Sequence, residues 1–355
     1  MNVAVIGGGI NGVMSAWALA DAGHQVTLFE KNELMSATSM ASTKLLHGGL
    51  RYLEHGEFGF VREALRERIW WIQQAPQFAH PIELVLPVYK DTKRPVWVIR
   101  VGLVAYDLLS GRKSLGRYRW HSRENLVRLC PELRVEGLEG GFTFFDGQMD
   151  DRALGLWAAE QAARAGVEIR THSSVDRISL DGDVVLQDST LRFDRVVNVA
   201  GPWAKRLLDA SSIASEMDLD LVRGSHLLLR GKISRGCFLQ IPGEERVCFA
   251  LPYLGNTLLG TTEVRQSLDE PVRCSEQERD YLLRIYNHYL QPSATEADIV
   301  GTFAGLRPLI RSNENPSRAT REYVIERQRK VVNVFGGKWT TARSLGQRVA
   351  RATGA

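Results

Sequence analysis

The sequence predicts an α/β chain: a discontinuous Rossmann-like dinucleotide-binding domain, plus an α+β second domain on an antiparallel sheet. Three observations carry this. A glycine-rich turn stands between a short apolar strand and a helix at the start of the chain. Strand–glycine–helix units recur in the middle and near the end. Between them lie strands of antiparallel character.

Val3 to Ile6 is a β-branched apolar run, expected as a buried parallel strand. Gly7-Gly8-Gly9-Ile10-Asn11-Gly12 follows and satisfies G-x-G-x-x-G through Gly7, Gly9 and Gly12. Asn11 to Ala22 reads as a helix ended by Gly23, and Gln25 to Phe29 as a second strand closed by Glu30. Gly7 permits the tight turn, Gly9 lets backbone approach a pyrophosphate, and Gly12 lets the helix pack on the strand. The helix N-terminus offers free N–H groups and a positive dipole end. A carboxylate at Glu30 binds both hydroxyls of an adenosine ribose and disfavours a 2′-phosphate, which argues against NADP. This unit alone leaves NAD and FAD both open.

Further along, Arg152 to Ala165 reads as an amphipathic helix and Val167 to Arg170 as a strand. Ser174 to Leu180 and Val184 to Gln187 form a hairpin around Asp181-Gly182-Asp183. Val196 to Val199 is a buried strand before Ala200-Gly201-Pro202-Trp203. Val331 to Phe335 is a strand, Gly336-Gly337 a turn and Thr340 to Ala350 a helix. Val222 to Arg230, Val247 to Pro252 and Leu258 to Thr262 are the strands of the second domain. Ser275 to Leu290 is a core helix there.

The 355 residues are too many for one simple core, which suggests two domains. With 44% hydrophobic and 24% charged residues, wholesale disorder is excluded. A net charge of +4 is too mild to argue for nucleic acid and suits a small anionic substrate or an anionic surface. Cys130, Cys237, Cys248 and Cys274 form no C-x-x-C pair and no metal spacing, the pattern of a reducing compartment. No signal peptide is expected, because Val3 to Ile6 is too short for its apolar region, and no run of about 18 apolar residues spans a membrane.

Lys90 to Arg123 stands apart. Lys90, Lys93 and Arg94 precede an apolar stretch with Trp97, Leu103, Val104, Tyr106, Leu108 and Leu109; Arg112, Lys113, Arg117 and Arg119 follow. Two readings stand: a core helix with a solvated basic end, or a helix that docks on anionic lipid. The expected location is cytoplasmic, with peripheral contact on the inner face of the cell membrane under the second reading.

Taken with Gly7 to Gly12, the segment Ser36-Ala37-Thr38-Ser39 and Ser42 through His55, including His47-Gly48-Gly49-Leu50-Arg51-Tyr52-Leu53, resembles flavin-dependent glycerol-3-phosphate dehydrogenases. Further blocks agree in order: Asn198 to Trp203, Arg223 to His226, Leu259 to Glu263, Gly305 to Leu309 and Phe335 to Thr341. The resemblance covers nearly the whole chain. It implies a two-domain flavoprotein of the D-amino-acid-oxidase-like class, with non-covalent FAD held by residues 1–80, 140–210 and 300–355. Residues 81–139 and 211–299 would form the substrate domain.

The activity implied is oxidation of sn-glycerol 3-phosphate to dihydroxyacetone phosphate by hydride transfer to flavin N5, with electrons passed to quinone or another acceptor. The alternatives are another small anionic alcohol or amino acid on the same fold, or a flavin-binding subunit without turnover. The chain lacks the helical C-terminal domain usual in the family, so a homo-oligomer or a helical partner chain is also expected.

By the same resemblance, Gly7, Gly9, Ile10, Asn11, Gly12, Glu30, Lys31, Thr38 and Ser39 would hold the dinucleotide. Ser42, Thr43, Leu45, His47, Gly48, Gly49 and Leu50 would line the flavin, with Val175, Ala200, Gly201, Trp203 and Gly305. Gly337, Lys338, Trp339 and Thr340 would sit by the isoalloxazine. Arg51, Tyr52, His226, Arg307, Arg321 and Lys338 would line the substrate pocket. Arg51 and Arg321 are expected on the phosphate and Arg307 by the reacting hydroxyl. His226 is expected as general base, on the ground that the ordinary imidazole pKa is near the working pH. Thr43 and Trp339 depart from the family, which often has serine and a smaller apolar residue there.

Overall fold

The computed structural model describes residues 1–111, 114–311 and 323–354. Two sheets organise it. The first has six strands, in the spatial order Tyr323–Gln328, Val331–Gly336, Arg195–Asn198, Asn2–Ile6, Gln25–Phe29 and Glu168–Arg170. The inner pairings are parallel and only the Tyr323–Gln328 edge is antiparallel. These strands come from the start, middle and end of the chain, as the recurring strand–glycine–helix units predict. Asn2–Ile6 is buried on both faces after its first residue, which is why it reads as a continuous apolar run.

Helices Ile10–Asp21, Asp151–Arg164 and Ala342–Thr353 cover this sheet. Gly346 permits the closest approach: a Cβ there would lie 2.3 Å from the Met14 carbonyl oxygen. Behind these helices is a tryptophan cluster. Trp17, Trp70, Trp71, Trp157 and Trp339 are linked by ring pairs with centroids 4.9 to 6.5 Å apart, mostly edge-on or tilted. The Trp71 indole N–H donates to the Thr340 carbonyl at 3.1 Å, tying the Phe58–Gln74 helix to the last strand–helix turn.

The second sheet is larger and mostly antiparallel. Leu219–Leu229 pairs along its length with Ile299–Ile310, and Ala79–Tyr89 with Leu138–Met149. Gly236–Gln240, Val247–Tyr253 and Asn256–Gly260 lie between these pairs. Helix Glu276–Tyr289 packs Leu282, Ile285 and Tyr289 onto the sheet and starts with a capping box of Ser275 and Glu278. Residues 140–149 and 300–310, expected with the dinucleotide part, pair instead into this sheet. The reason is strand length: both strands run past the expected boundaries without a break, and Ile299–Ile310 carries the sheet to the cavity wall at Gly305 and Arg307. A small three-stranded sheet, Val175–Ile178, Asp183–Leu186 and Ser189–Arg192, contains the predicted hairpin. All four cysteines are free, and Cys130, Cys237 and Cys248 are buried.

The apolar stretch after Lys90 is helix Val96–Ser110. Ile99, Leu103 and Tyr106 face inward, but Trp97 is 68% exposed and Leu108 75%, with Val101 and Val104 also exposed. The helix thus carries apolar residues on two faces. Among the described residues no helix is long and apolar enough to cross a membrane.

Candidate active site

A single cavity is lined by residues from both sheets. At one end is the glycine turn. Gly7 has φ +117°, and a Cβ on Gly12 would lie 1.8 Å from the Gly7 carbonyl oxygen, so neither position accepts a side chain without backbone movement. Gly9 is the extended N-cap of helix Ile10–Asp21 and supplies no side-chain cap, which suits an anion at that terminus. Glu30 accepts from the amides of Gly8 at 2.7 Å and Asn32 at 2.8 Å, holding its carboxylate at the end of the second strand. Lys31 lies 3.6 Å over the Trp203 ring, and burial pulls its pKa down. Val175, Ala200 and Gly201 complete this wall, and the bare glycine backbone forms a cradle that fits a dinucleotide.

The middle of the wall is the segment 36–47. Thr38 donates to the Leu306 carbonyl at 2.7 Å, and Ser39 accepts from the Ile10 amide at 2.9 Å. The Trp339 indole N–H donates to the Ser39 carbonyl at 2.9 Å. Asp151, fully buried, accepts from the Ser42 amide at 3.0 Å, the Ser42 hydroxyl at 2.7 Å and the Lys44 ammonium at 2.6 Å. Lys44 also donates to the Met40 carbonyl at 2.7 Å and has φ +58°. This buried ion pair fixes the loop that presents Ser42, Thr43 and Leu45 to the cavity. Asn11, His47, Gly305, Gly337 and Thr340 also line it.

Three predicted flavin residues stand behind the wall. The Gly48 amide is turned inward, to the Tyr106 hydroxyl at 2.9 Å and the Asp146 carboxylate at 3.0 Å; Asp146 is itself paired to buried Arg68 at 2.8 Å. Gly49 is left-handed, with φ +78°, and packs on the Tyr52 ring, while Leu50 begins a short 3-10 helix against the second core. None of the three reaches the cavity surface. Buried amide pairing turns Gly48 inward, and apolar packing holds Gly49 and Leu50 back.

Arg51, Tyr52, His226, Arg307 and Lys338, from four separate segments, line the same cavity. Strand register explains part of this. His226 is opposite Phe303, Gly224 opposite Gly305 and Val222 opposite Arg307, so the period of two puts all six on one face. Gly224 makes room for Arg307, whose Nη2 would be 3.0 Å from a Cβ there. Arg307 donates to the Thr262 carbonyl at 2.8 Å and pairs with Glu263 at 3.5 Å. Lys338 lies 3.8 Å over the Tyr52 ring and 3.6 Å over Phe60. Arg321 lies outside the described residues.

His226 is buried, stacked on Phe303 with centroids 4.7 Å apart, and bonded through Nε2 to the Thr43 hydroxyl at 3.0 Å. Desolvation first, then Arg307 and Lys44, pull its pKa down to about 3. This corrects the expectation of an ordinary imidazole: the ring is neutral across the working range because the pocket around it is cationic and dry. Arg246 and Glu263 were missed by sequence reasoning. Both line the cavity and pair at 3.3 Å; Arg246 also donates to the Thr261 carbonyl at 2.8 Å and to the Tyr281 hydroxyl at 3.0 Å. Glu263 stands inside the Leu259 to Glu263 block, which was the available signal.

Comparison with known proteins agrees with this geometry. The profile of the family described as FAD dependent oxidoreductase matches residues 2–352. The chain is 37% identical to a glycerol-3-phosphate dehydrogenase of Pseudomonas tolaasii, over 98% of this chain and 70% of that protein. It is equally 37% identical to a D-erythritol 1-phosphate dehydrogenase of Brucella abortus, over 97% of this chain and 72% of that one. The solved glycerol-3-phosphate dehydrogenase of Bacillus halodurans, complexed with FAD, superposes with a TM-score of 0.78 at 26% identity. That match covers 99% of this chain but 64% of that one, so the chain spans roughly two thirds of that enzyme.

Proposed function

Because the chain belongs to the FAD dependent oxidoreductase family, we propose that this flavoenzyme oxidises sn-glycerol 3-phosphate to dihydroxyacetone phosphate. The observation that carries this reading is that Arg51, Arg246, Arg307, Lys338 and His226 all line the one cavity that the glycine cradle also lines. A phosphate dianion requires such a cluster of donors, and a carboxylate alone requires fewer. The glycine cradle, Glu30 and the 36–47 loop hold FAD, which when bound supplies a hydride acceptor.

Arg51 and Lys338 clamp the phosphate and fix the geometry of the reacting carbon. Arg307 stabilises the alkoxide charge that develops as the hydroxyl loses its proton. His226 accepts that proton. It is neutral and so free to take a proton; burial is the largest cause of its lowered pKa, and an anion facing Arg307 offsets only the smaller contributions of Arg307 and Lys44.

The test is anaerobic bleaching of the flavin band near 450 nm on adding sn-glycerol 3-phosphate, with glycerol, lactate and D-alanine as controls. Bleaching by the phosphate ester alone is expected. Bleaching by lactate or D-alanine instead would move the assignment to another anionic alcohol or to an amino acid, and bleaching by none of the four to an untested anionic alcohol or to a non-catalytic subunit.

Electrons pass on to a quinone, and helix Val96–Ser110 docks the protein on the membrane where that acceptor resides. Its exposed Trp97, Val101, Val104 and Leu108, flanked by basic residues of the Lys90 to Arg123 segment, support this reading. The protein is expected to pellet with anionic vesicles at low salt and to stay in solution at high salt. Trp97→Glu with Leu108→Glu should abolish pelleting. Absence of binding by the unaltered protein at low salt would remove the membrane assignment.

A further inference from the structure

Helix Glu276–Tyr289 is not part of the cavity wall, yet one of its side chains reaches the segment that holds Arg307. Thr261 and Glu263 line the cavity, and so do Gly224 and His226 on strand Leu219–Leu229. The residues between them, Thr262 and Ser225, are buried behind that wall, where both meet the buried Glu278 of the helix.

The two oxygens of Glu278 have different partners. Oε2 accepts from the Ser275 amide and hydroxyl, both at 2.9 Å, and from Arg223 at 2.9 Å through Nη2 and 3.1 Å through Nε. These bonds start the helix and pair the charge. Oε1 reaches across to the two strand segments, accepting from the Ser225 hydroxyl at 2.8 Å and the Thr262 hydroxyl at 2.6 Å. The Thr262 hydroxyl in turn accepts from the Ser225 amide at 2.9 Å. The carbonyl of the same Thr262 accepts from Arg307 Nη2 at 2.8 Å. Burial pushes the Glu278 carboxyl up, but the bonds from Thr262, Ser275, Arg223 and Ser225 outweigh it and bring its pKa down to about 2. The acceptor is therefore an anion across the working range, and a charged acceptor holds its donors more firmly than a neutral one.

We infer that Glu278 is a positioning residue for the reaction: by anchoring Thr262 it fixes the carbonyl that aims Arg307 at the reacting hydroxyl. The inference rests on the role given to Arg307 under Proposed function. Arg307 has other partners, Glu263 among them. What Glu278 adds is a backbone oxygen whose place is set from behind the cavity wall, by a residue that does not line the cavity.

The test is anaerobic flavin reduction by sn-glycerol 3-phosphate in Thr262→Val, Thr262→Ser and Glu278→Gln, with FAD content and urea midpoint measured alongside. Thr262→Val keeps the carbonyl and removes the hydroxyl that Glu278 holds. It should lower kcat by about 10-fold, with KM changed by less than about 3-fold and FAD content unchanged. Glu278→Gln should shift kcat in the same direction, and Thr262→Ser should keep nearly the full rate. In the Arg307→Ala background, Thr262→Val should cost less than about 2-fold more, because the group it positions is gone. An unaltered rate in Thr262→Val overturns the inference, as does a rise in KM with kcat preserved. A loss of equal size with and without Arg307 also overturns it and leaves Glu278 a brace for the sheet alone. In all three cases the proposed activity stands. Failure of glycerol 3-phosphate to reduce the unaltered holoenzyme overturns the proposed substrate, and this inference with it.

Discussion

Replacing Arg307 by alanine is expected to lower the rate of flavin reduction by glycerol 3-phosphate by about 10²- to 10³-fold, the effect of removing one preorganised donor to developing charge. The guanidinium is held by the Thr262 carbonyl and given room by Gly224. It costs little reorganisation when charge develops on the substrate oxygen. The loss should fall mainly on kcat, with FAD content unchanged, because Arg307 is held by the Thr262 carbonyl and Glu263, which are not part of the glycine turn. Arg307→Lys should recover little, since an ammonium cannot reproduce a planar fork that binds a carbonyl and a substrate oxygen together. Stopped-flow reduction across a range of substrate concentrations checks this. A rise in KM with kcat preserved would assign Arg307 to the phosphate instead.

Asp151→Ala is expected to be the most damaging substitution away from the substrate. It strips the Lys44 ammonium of its buried counter-ion and leaves the Ser42 amide and hydroxyl without their acceptor. Breaking a buried pair from one side costs about 3–5 kcal/mol. The damage also reaches function, because Ser42, Thr43 and Leu45 belong to the loop this pair fixes. Urea denaturation and FAD titration of the variant should therefore show both a lower midpoint and a weaker flavin complex. Adding Lys44→Met to Asp151→Ala should recover part of the stability, since no buried charge is then left alone. A destabilisation below about 1 kcal/mol would show that water reaches the pair and that the loop is held by other contacts.

The dinucleotide half was legible because its signals are local. A glycine turn flanked by strand and helix fixes its own geometry, and the structure places strand Gln25–Phe29 on the residues where the pattern put it. The larger sheet was harder to read. Ala79–Tyr89 contains Pro81 and Pro87, and Leu138–Met149 contains Gly140, Gly141 and Gly147. In isolation those residues signal turns and breaks; in the fold they are tolerated because tertiary packing of two long strands outweighs local preference. Gly141 shows why: a Cβ there would lie 2.6 Å from the Leu86 carbonyl oxygen.

The same contrast holds at the site. Motif blocks brought His226, Arg307 and Lys338 into view, but not which groups a block turns inward. Gly48 lies within the most specific block and faces a buried carboxylate instead of the cavity. The low pKa of His226 follows from burial beside Arg307 and Lys44, which only the folded arrangement brings about. Arg246 belongs to no motif block, so the third dimension alone brings it to Glu263.

The tryptophan cluster has a spectroscopic consequence. Five of the eight tryptophans in the chain belong to it, and one of them, Trp339, forms part of the cavity wall. Ultraviolet energy absorbed by any of the five passes from ring to ring over separations of 4.9 to 6.5 Å. A flavin at that wall absorbs where indole emits, so one bound FAD darkens most of the intrinsic fluorescence, including that of rings it never touches. The unlabelled protein thus carries its own gauge of cofactor occupancy.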